Sequence, residues 1–470
     1  MFLCRDKELN ILKRRYSGNS CECIILYGRR RVGKTALINE FIKNKRTIYF
    51  SALRASAEDN LESLSKSIQE YLYPGSIAAP VYHSFEEAFS EITRIVKNNR
   101  VIFVIDELPY LCEADDSIPS RLQHLLDHDW TNSGLFLILC GSSMSFMEKE
   151  ILSERSPLFG RRTAQIKLEP LDYFDAAKFH PDVSIEDNAL IYGITGGVPH
   201  YINKLNVHGS IKDALLENFF DSASYLFEEP GNLLRQELRE PAFYNSVIAS
   251  IAGGTTKFSD IASKLHIPTA NCSKYLNTLM ELGIVEKVEP IIGKTKNKVY
   301  YRIKDHFFRF WYRFVPGNMM AISSGNMDKI YDQAVSGYLH DFMGQTFEYM
   351  SRQYLLRHFT ELPFPLQNIG EWWSSDPKLK KEIQLDIVAT GVKAHANASG
   401  MNYLIGSCKF KNEEISLDEL ELIRNYAGNF TTANDSCFYY IFSKNGFTKG
   451  LNDMEKNGDV KLVMLEDMYR

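Results

Sequence analysis

The 470-residue chain has no apolar run near the ~18 residues that a membrane helix needs. No membrane partner is therefore expected. C-x-x-C pairs and Cys/His zinc spacings are also missing. The eight Cys are scattered at Cys4, Cys21, Cys23, Cys112, Cys140, Cys272, Cys408 and Cys437. That excludes a disulfide scaffold and points to reduced thiols in a cytoplasmic protein. The first residues turn charged at Arg5 and hold no apolar signal core, so no leader is expected. Trp is scarce at 4, but 29 Phe and 25 Tyr supply material for several cores. Neither charge sign dominates: 54 Lys+Arg against 59 Asp+Glu leave −5, which excludes a uniformly basic nucleic-acid coat protein. With 44% hydrophobic and 24% charged residues, the chain reads as globular, with about three domains.

What is present begins with Gly28-Arg29-Arg30-Arg31-Val32-Gly33-Lys34-Thr35, which fits G-x-x-x-x-G-K-[ST] at every fixed position. Cys23–Tyr27 reads as a buried strand before it, and Ala36–Lys43 as a helix after it. Strand, glycine loop and helix make a P-loop. Its glycines let backbone N–H groups approach phosphates, and Lys34 places a charge near the β- and γ-phosphates. Thr35 offers a hydroxyl to Mg²⁺, and the helix N-terminus favours an anion. Further on, the strand Val101–Ile105 runs into Asp106 and Glu107. This is a Walker B arrangement: Asp106 holds Mg²⁺, and Glu107 orients or deprotonates the attacking water.

A third apolar strand begins at Leu135 and ends in Ser142 and Ser143, either of which can sense a γ-phosphate. Arg161 and Arg162 precede another strand. There they act as an arginine finger, in cis or towards a neighbouring subunit, or form a solvated pair.

Together CIILYGRRRVGKTALI, VIFVIDELPYL, LILCGSSMSFM, SPLFGRRT, LEPLDYFDA and ITGGVPHYI resemble the archaeal-type ATPase family, within the AAA+/STAND class of P-loop NTPases. Gly196-Gly197-Val198-Pro199 is similar to its G-G-x-P lid signature. FLCRDKELNIL is similar to its F-x-x-R-x-x-E-L opening, which the resemblance places near the adenine. The resemblance covers about residues 1–235. It implies an α/β P-loop fold with a parallel sheet and a helical lid, ATP and Mg²⁺ as cofactors, and ATP hydrolysis. No N-K-x-D pattern suggests guanine.

Residues 241–315 differ in character. A helix ending at a Gly pair, a short helix and turn, a longer helix from Thr269 and a hairpin read as a winged helix-turn-helix. Cys272, Leu276, Leu279 and Leu282 are its expected apolar positions. Residues 255–315 hold eleven Lys and Arg against five Asp and Glu, a net +6, leaving −11 elsewhere. Such a concentration suits phosphate contacts. Thr269, Asn271, Lys274 and Asn277 are expected to face a DNA groove, with Lys294, Lys296 and Lys298 on the wing. A winged helix also serves as a protein-interaction module, so a protein partner or a homo-oligomer stays open. The aromatic stretch Asp305–Asn318 is expected to pack between domains.

The tail alternates helices with strands that carry acids or Lys, and burying such charge needs a reason. Metal-dependent phosphodiester cleavage is one. FEYM, IGEWW, EIQLDIVA, IGSCKFKN and IFSKNGFTKGL resemble the C-terminal domain of the same family, of the DEXX-box ATPase type, with a restriction-endonuclease-like fold. The resemblance implies metal-binding roles for Glu348 and Asp386 with Lys409 beside them. The Glu of its Glu-x-Lys motif is Ser407 here. A Ser loses the negative charge, so either Glu413, Glu414 or Glu382 moves in or the domain only binds. The expected order is an ATPase core over 1–175, a lid over 176–235, the winged helix over 236–318 and the tail over 319–470. The expected function is an ATP-driven switch coupled to DNA. An ATP-regulated nuclease and a protein-binding signalling scaffold are the alternatives.

Overall fold

Residues 2–76, 81–205, 207, 209–293, 299–376, 381–393 and 400–470 are described by a computed structural model. The chain divides into two compact units, Met1–Pro170 with Val198–His200, and Leu171–Gly197 with Tyr201–Arg470.

The first unit is built on a parallel sheet of β1 (Glu22–Tyr27), β2 (Thr47–Ser51), β3 (Val101–Asp106), β4 (Leu135–Gly141) and β5 (Ala164–Lys167), in the order β2-β3-β4-β1-β5. β1, β3 and β4 are buried along their whole length, as expected of continuous apolar runs covered on both faces. The two-residue period divides them between two cores. Ile25, Phe103, Ile105, Leu137 and Leu139 join one, while Ile24, Leu26, Val104, Ile138 and Cys140 join the other. Because β4 lies between β1 and β3, the loops after these three strands open at one sheet edge. The helix after β1 spans Lys34–Ile42 and starts two residues before the expected Ala36, because Gly33 caps it in a left-handed conformation, φ 98°.

The second unit begins with helices, among them Ile185–Thr195, Ile211–Phe219 and Tyr225–Glu237. Next come the helices Pro241–Ala252, Phe258–Lys264 and Thr269–Glu281, then an antiparallel pair, β6 (Val285–Val288) and β7 (Tyr300–Ile303). In Thr269–Glu281 the buried side chains are Cys272, Tyr275, Leu276 and Leu279. Leu282 sits at the C-cap and is only half-buried, whereas Tyr275, not among the expected apolar positions, is buried. The helix His306–Phe314 carries the aromatic stretch, and its rings do pack: Phe307 stacks on Tyr201 at 4.2 Å, and Phe310 meets Phe219 at 4.8 Å.

The helix Gly337–Arg357 leads to a mixed sheet of β8 (Asn368–Asp376), β9 (Lys381–Val392), β10 (Met401–Lys409), β11 (Ser436–Ser443) and β12 (Lys461–Met464). Its order is β12-β11-β10-β9-β8; β8–β9 and β9–β10 are antiparallel, and the other two pairs parallel. Helices Leu417–Ala427 and Lys449–Lys456 make the crossovers. β8 pairs with β9 through a bulge between Gly370 and Trp372.

Candidate functional site

In the first unit, Gly28 follows the last residue of β1, and a Cβ there would lie 2.3 Å from the Leu168 carbonyl oxygen, so only glycine fits. Lys34 is buried and folds back on the loop, donating to the carbonyls of Gly28 at 2.8 Å and Arg29 at 3.1 Å. Burial lowers its pKa below the ordinary lysine value. Arg30 donates to the Tyr110 hydroxyl at 2.5 Å, Arg31 takes a left-handed φ of 73°, and Ala36 is exposed on the helix. Val32 is buried, and its carbonyl accepts a 3.0 Å bond from Arg5, which also donates to the Glu169 carbonyl at 2.7 Å. The opening Arg thus braces the P-loop, a role that its place in the sequence did not reveal.

Asp106 closes β3. Its Oδ2 accepts from Thr35 Oγ1 at 3.3 Å and from the Tyr49 hydroxyl at 2.6 Å. Burial and the Asp106 charge raise the Tyr49 phenol well above its ordinary value. Tyr49 comes from β2, paired in register beside β3, and only that pairing reveals it. Glu107 follows in a left-handed conformation, φ 54° and ψ 47°, which is strained for a residue with a Cβ. Its Oε2 accepts from both the Ser142 N–H at 3.1 Å and the Ser142 hydroxyl at 2.8 Å. Ser143 stands at the N-cap position of the short helix after β4 without a side-chain capping bond. Arg161 forms a two-point ion pair with Asp127, both bonds 3.0 Å, which holds that carboxyl below its usual range. Arg162 donates to the Leu152 carbonyl at 3.1 Å. Both Arg therefore have partners of their own. Gly196 and Gly197 are left-handed, and a Cβ on Gly197 would lie 1.9 Å from the Leu171 carbonyl; Pro199 then opens a helix.

The second unit gathers another polar cluster. Asp386 on β9 accepts at Oδ2 from the Cys408 N–H at 2.8 Å. Lys409, at the end of β10, lies 3.9 Å from Asp386 and 3.2 Å from Glu419. Burial works against its charge, yet Asp386 and Glu419 hold the ammonium above the ordinary lysine value. Ser407 donates to Glu419 at 2.6 Å. Glu419 is on the helix Leu417–Ala427 and was not expected. Glu413, Glu414 and Glu382, the acids expected to move in, are exposed, and no bond joins them to this cluster among the described residues. Burial, then the charges of Asp386 and Glu371, push the Glu348 carboxyl up to about 8. Glu371, the bulge residue of β8, is bonded to Arg302 at 2.7 Å, Arg352 at 2.8 Å and the Tyr300 hydroxyl at 2.8 Å. Thr269, Asn271, Lys274 and Asn277 are all exposed on their helix. Lys294, Lys296 and Lys298 lie outside the described residues.

A glycine loop closing on a buried lysine, with a Walker B acid at the end of β3, one strand removed from β1, defines a P-loop ATPase. A model of an ATPase domain predominantly from Archaea matches residues 2–205, and a model of archaeal and bacterial proteins of unknown function matches residues 311–421. An uncharacterised protein of Methanocaldococcus jannaschii is 31% identical over 376 residues, 79% of this chain and 82% of that protein. An uncharacterised ATP-binding protein of the same organism is 54% identical over 46 residues, 10% of this chain and 78% of its own length. The solved Walker-type ATPase of Pyrococcus abyssi shares the fold at TM-score 0.53 and 20% identity, over 66% of this chain and 96% of that one. The chain belongs to this archaeal ATPase family and joins its ATPase domain to a C-terminal domain of the second type. It is an ATPase. No described helix is long and apolar enough to cross a membrane.

Proposed function

We propose that the protein is an ATP-driven switch whose nucleotide state controls its grip on DNA. In this reading Gly28–Ala36 cradles the phosphates, and Lys34 leaves the loop carbonyls for the phosphate oxygens. Thr35 Oγ1 and Asp106 Oδ2, 3.3 Å apart, are hard oxygen donors at one point and fit Mg²⁺. Bound Mg²⁺ would supply charge against the phosphates. Ser142 holds Glu107 through Oε2, so Oε1 has no partner among the described residues and can accept from the attacking water. Arg161 or Arg162 serves as the finger, and Pro199 belongs to the lid. We assign the domain order 1–175, 176–235, 236–318 and 319–470, with a winged helix and a restriction-endonuclease-like tail as the third and fourth parts.

The observation that carries the DNA half is one helix face. Thr269, Asn271, Lys274 and Asn277 are exposed on the second helix of a helix-turn-helix, opposite the buried Cys272, Leu276 and Leu279, in a segment of net +6. Replacing Lys274, Lys294, Lys296 and Lys298 by Ala is expected to weaken binding to a short duplex. It also flattens the slope of log affinity against log salt, by roughly 0.9 for each phosphate that the protein no longer neutralises. An unchanged slope would make this a protein-binding module. A second reading, metal-dependent phosphodiester chemistry in the C-terminal sheet, is supported by the carboxylates and Lys409 gathered around Ser407.

A further inference from the structure

Both oxygens of Asp106 have a donor in place, and one of the donors belongs to no motif. Oδ1 accepts from the N–H of Glu107 at 3.0 Å, and Oδ2 accepts from the Tyr49 hydroxyl at 2.6 Å. We propose that Tyr49 is a positioning residue of the ATPase: its hydroxyl fixes the Asp106 carboxylate in the orientation that receives Mg²⁺, and so sets the metal affinity of the nucleotide complex. This rests on the Walker B reading of Asp106.

Tyr49 lies in β2, at the edge of the sheet. Ile48 and Phe50 enter one core, and the two-residue period turns Tyr49 to the other face, against the core that holds Val104 and Cys140. Register sets Tyr49 opposite Val104, which shares a face of β3 with Asp106. A long side chain leaning along β2 therefore reaches the carboxylate from the neighbouring strand. Phe would fill the same apolar place, so the hydroxyl is the part that packing does not require. It brings one polar atom to a half-buried position and points it at Asp106. A carboxylate oxygen only accepts, so the phenol is the donor, and Oδ2 keeps a second lone pair. Thr35 Oγ1 approaches that same oxygen from the P-loop at 3.3 Å, long for a bond between oxygens. The Tyr49 bond is short and made to an ionised acceptor, hence the stronger of the two. Thr35 is thus the partner that can turn to a cation while Tyr49 keeps its hold. On the other side of β3, β4 brings only the thiol of Cys140 beside Asp106, a weak donor. The phenol is also neutral. An ammonium or guanidinium in its place would compete with the cation, whereas a hydroxyl orients the carboxylate and leaves its charge in place.

The test is the affinity of the full chain for a fluorescent, non-hydrolysable ATP analogue, measured with excess EDTA and again across a Mg²⁺ titration. The ratio of the two affinities isolates the contribution of the metal. Tyr49→Phe should cut that ratio at least about tenfold, the usual cost of losing a hydrogen bond to a metal ligand, with the affinity under EDTA unchanged. A packing role alone would lower the melting temperature and both affinities together, and that result would overturn the assignment. An unchanged ratio would overturn it as well. Asp106→Asn separates this inference from the reading beneath it. If Asp106→Asn lowers the ratio and Tyr49→Phe does not, only the role of Tyr49 is wrong. If Asp106→Asn also leaves the ratio intact, the Walker B reading falls with it.

Discussion

Single side chains decide how the nucleotide site works. Glu107 is held in a left-handed backbone, and both Ser142 donors fix its Oε2. Glu107→Gln should therefore keep ATP bound while lowering turnover by roughly 10²–10⁴-fold, the usual worth of a positioned base. Single-turnover hydrolysis with retained nucleotide checks this, and near-normal turnover would move the role elsewhere. On the proposed reading Ser142→Ala should lower kcat with little change in KM, because the Ser142 hydroxyl is bonded to Glu107. Arg5→Ala should cost about 2 kcal/mol of unfolding free energy, since a buried guanidinium joins the carbonyls of Val32 and Glu169. Denaturant titration reads that loss. The motif residues Gly28, Lys34, Thr35, Asp106 and Glu107 were legible in the sequence because each belongs to a short local pattern. Tyr49, Glu419 and the bracing role of Arg5 were not. Each acts through an element distant in sequence, and no local spacing encodes the pairing of β2 with β3 or the angle of the helix Leu417–Ala427.

At the scale of elements, the buried strands were readable because a continuous apolar run has few other fates. β8 begins at Asn368, after Pro365, which has no N–H to give a ladder. Its bulge matters more, because it re-aims Glu371 out of the sheet pattern towards Arg302 on β7 and Arg352 on the helix Gly337–Arg357. Burial opposes the Glu371 charge, but the two guanidiniums hold its carboxyl below the usual range. Glu286 on β6 accepts from Arg302 and from the Tyr349 hydroxyl, so four elements share one ionic knot. Removing one member of a buried pair strands the others, so Glu371→Gln should destabilise the protein by about 3 kcal/mol. A melting temperature equal to that of the unchanged protein would show that the knot contributes little. This knot ties the β6–β7 hairpin to the sheet that carries Asp386, and neither a hydropathy pattern nor a motif announces it.

For the whole molecule, a net charge of −5 described neither part, because +6 is concentrated in residues 255–315. The proposed switch spans an ATPase unit and a DNA-engaging unit. Its energetic meaning is a coupling free energy between the two ligands. Couplings of this kind usually amount to about 1–3 kcal/mol, or roughly 5–150-fold in affinity. Linkage makes the effect reciprocal, so DNA must change ATP affinity by the same factor. The most direct test measures the affinity of the Glu107→Gln protein for a short duplex with Mg-ATP, with Mg-ADP and without nucleotide, at one salt concentration. The account predicts at least about a fivefold difference between the ATP and ADP states, matched by an equal effect of DNA on ATP binding. Equal DNA affinity in all three states would contradict it.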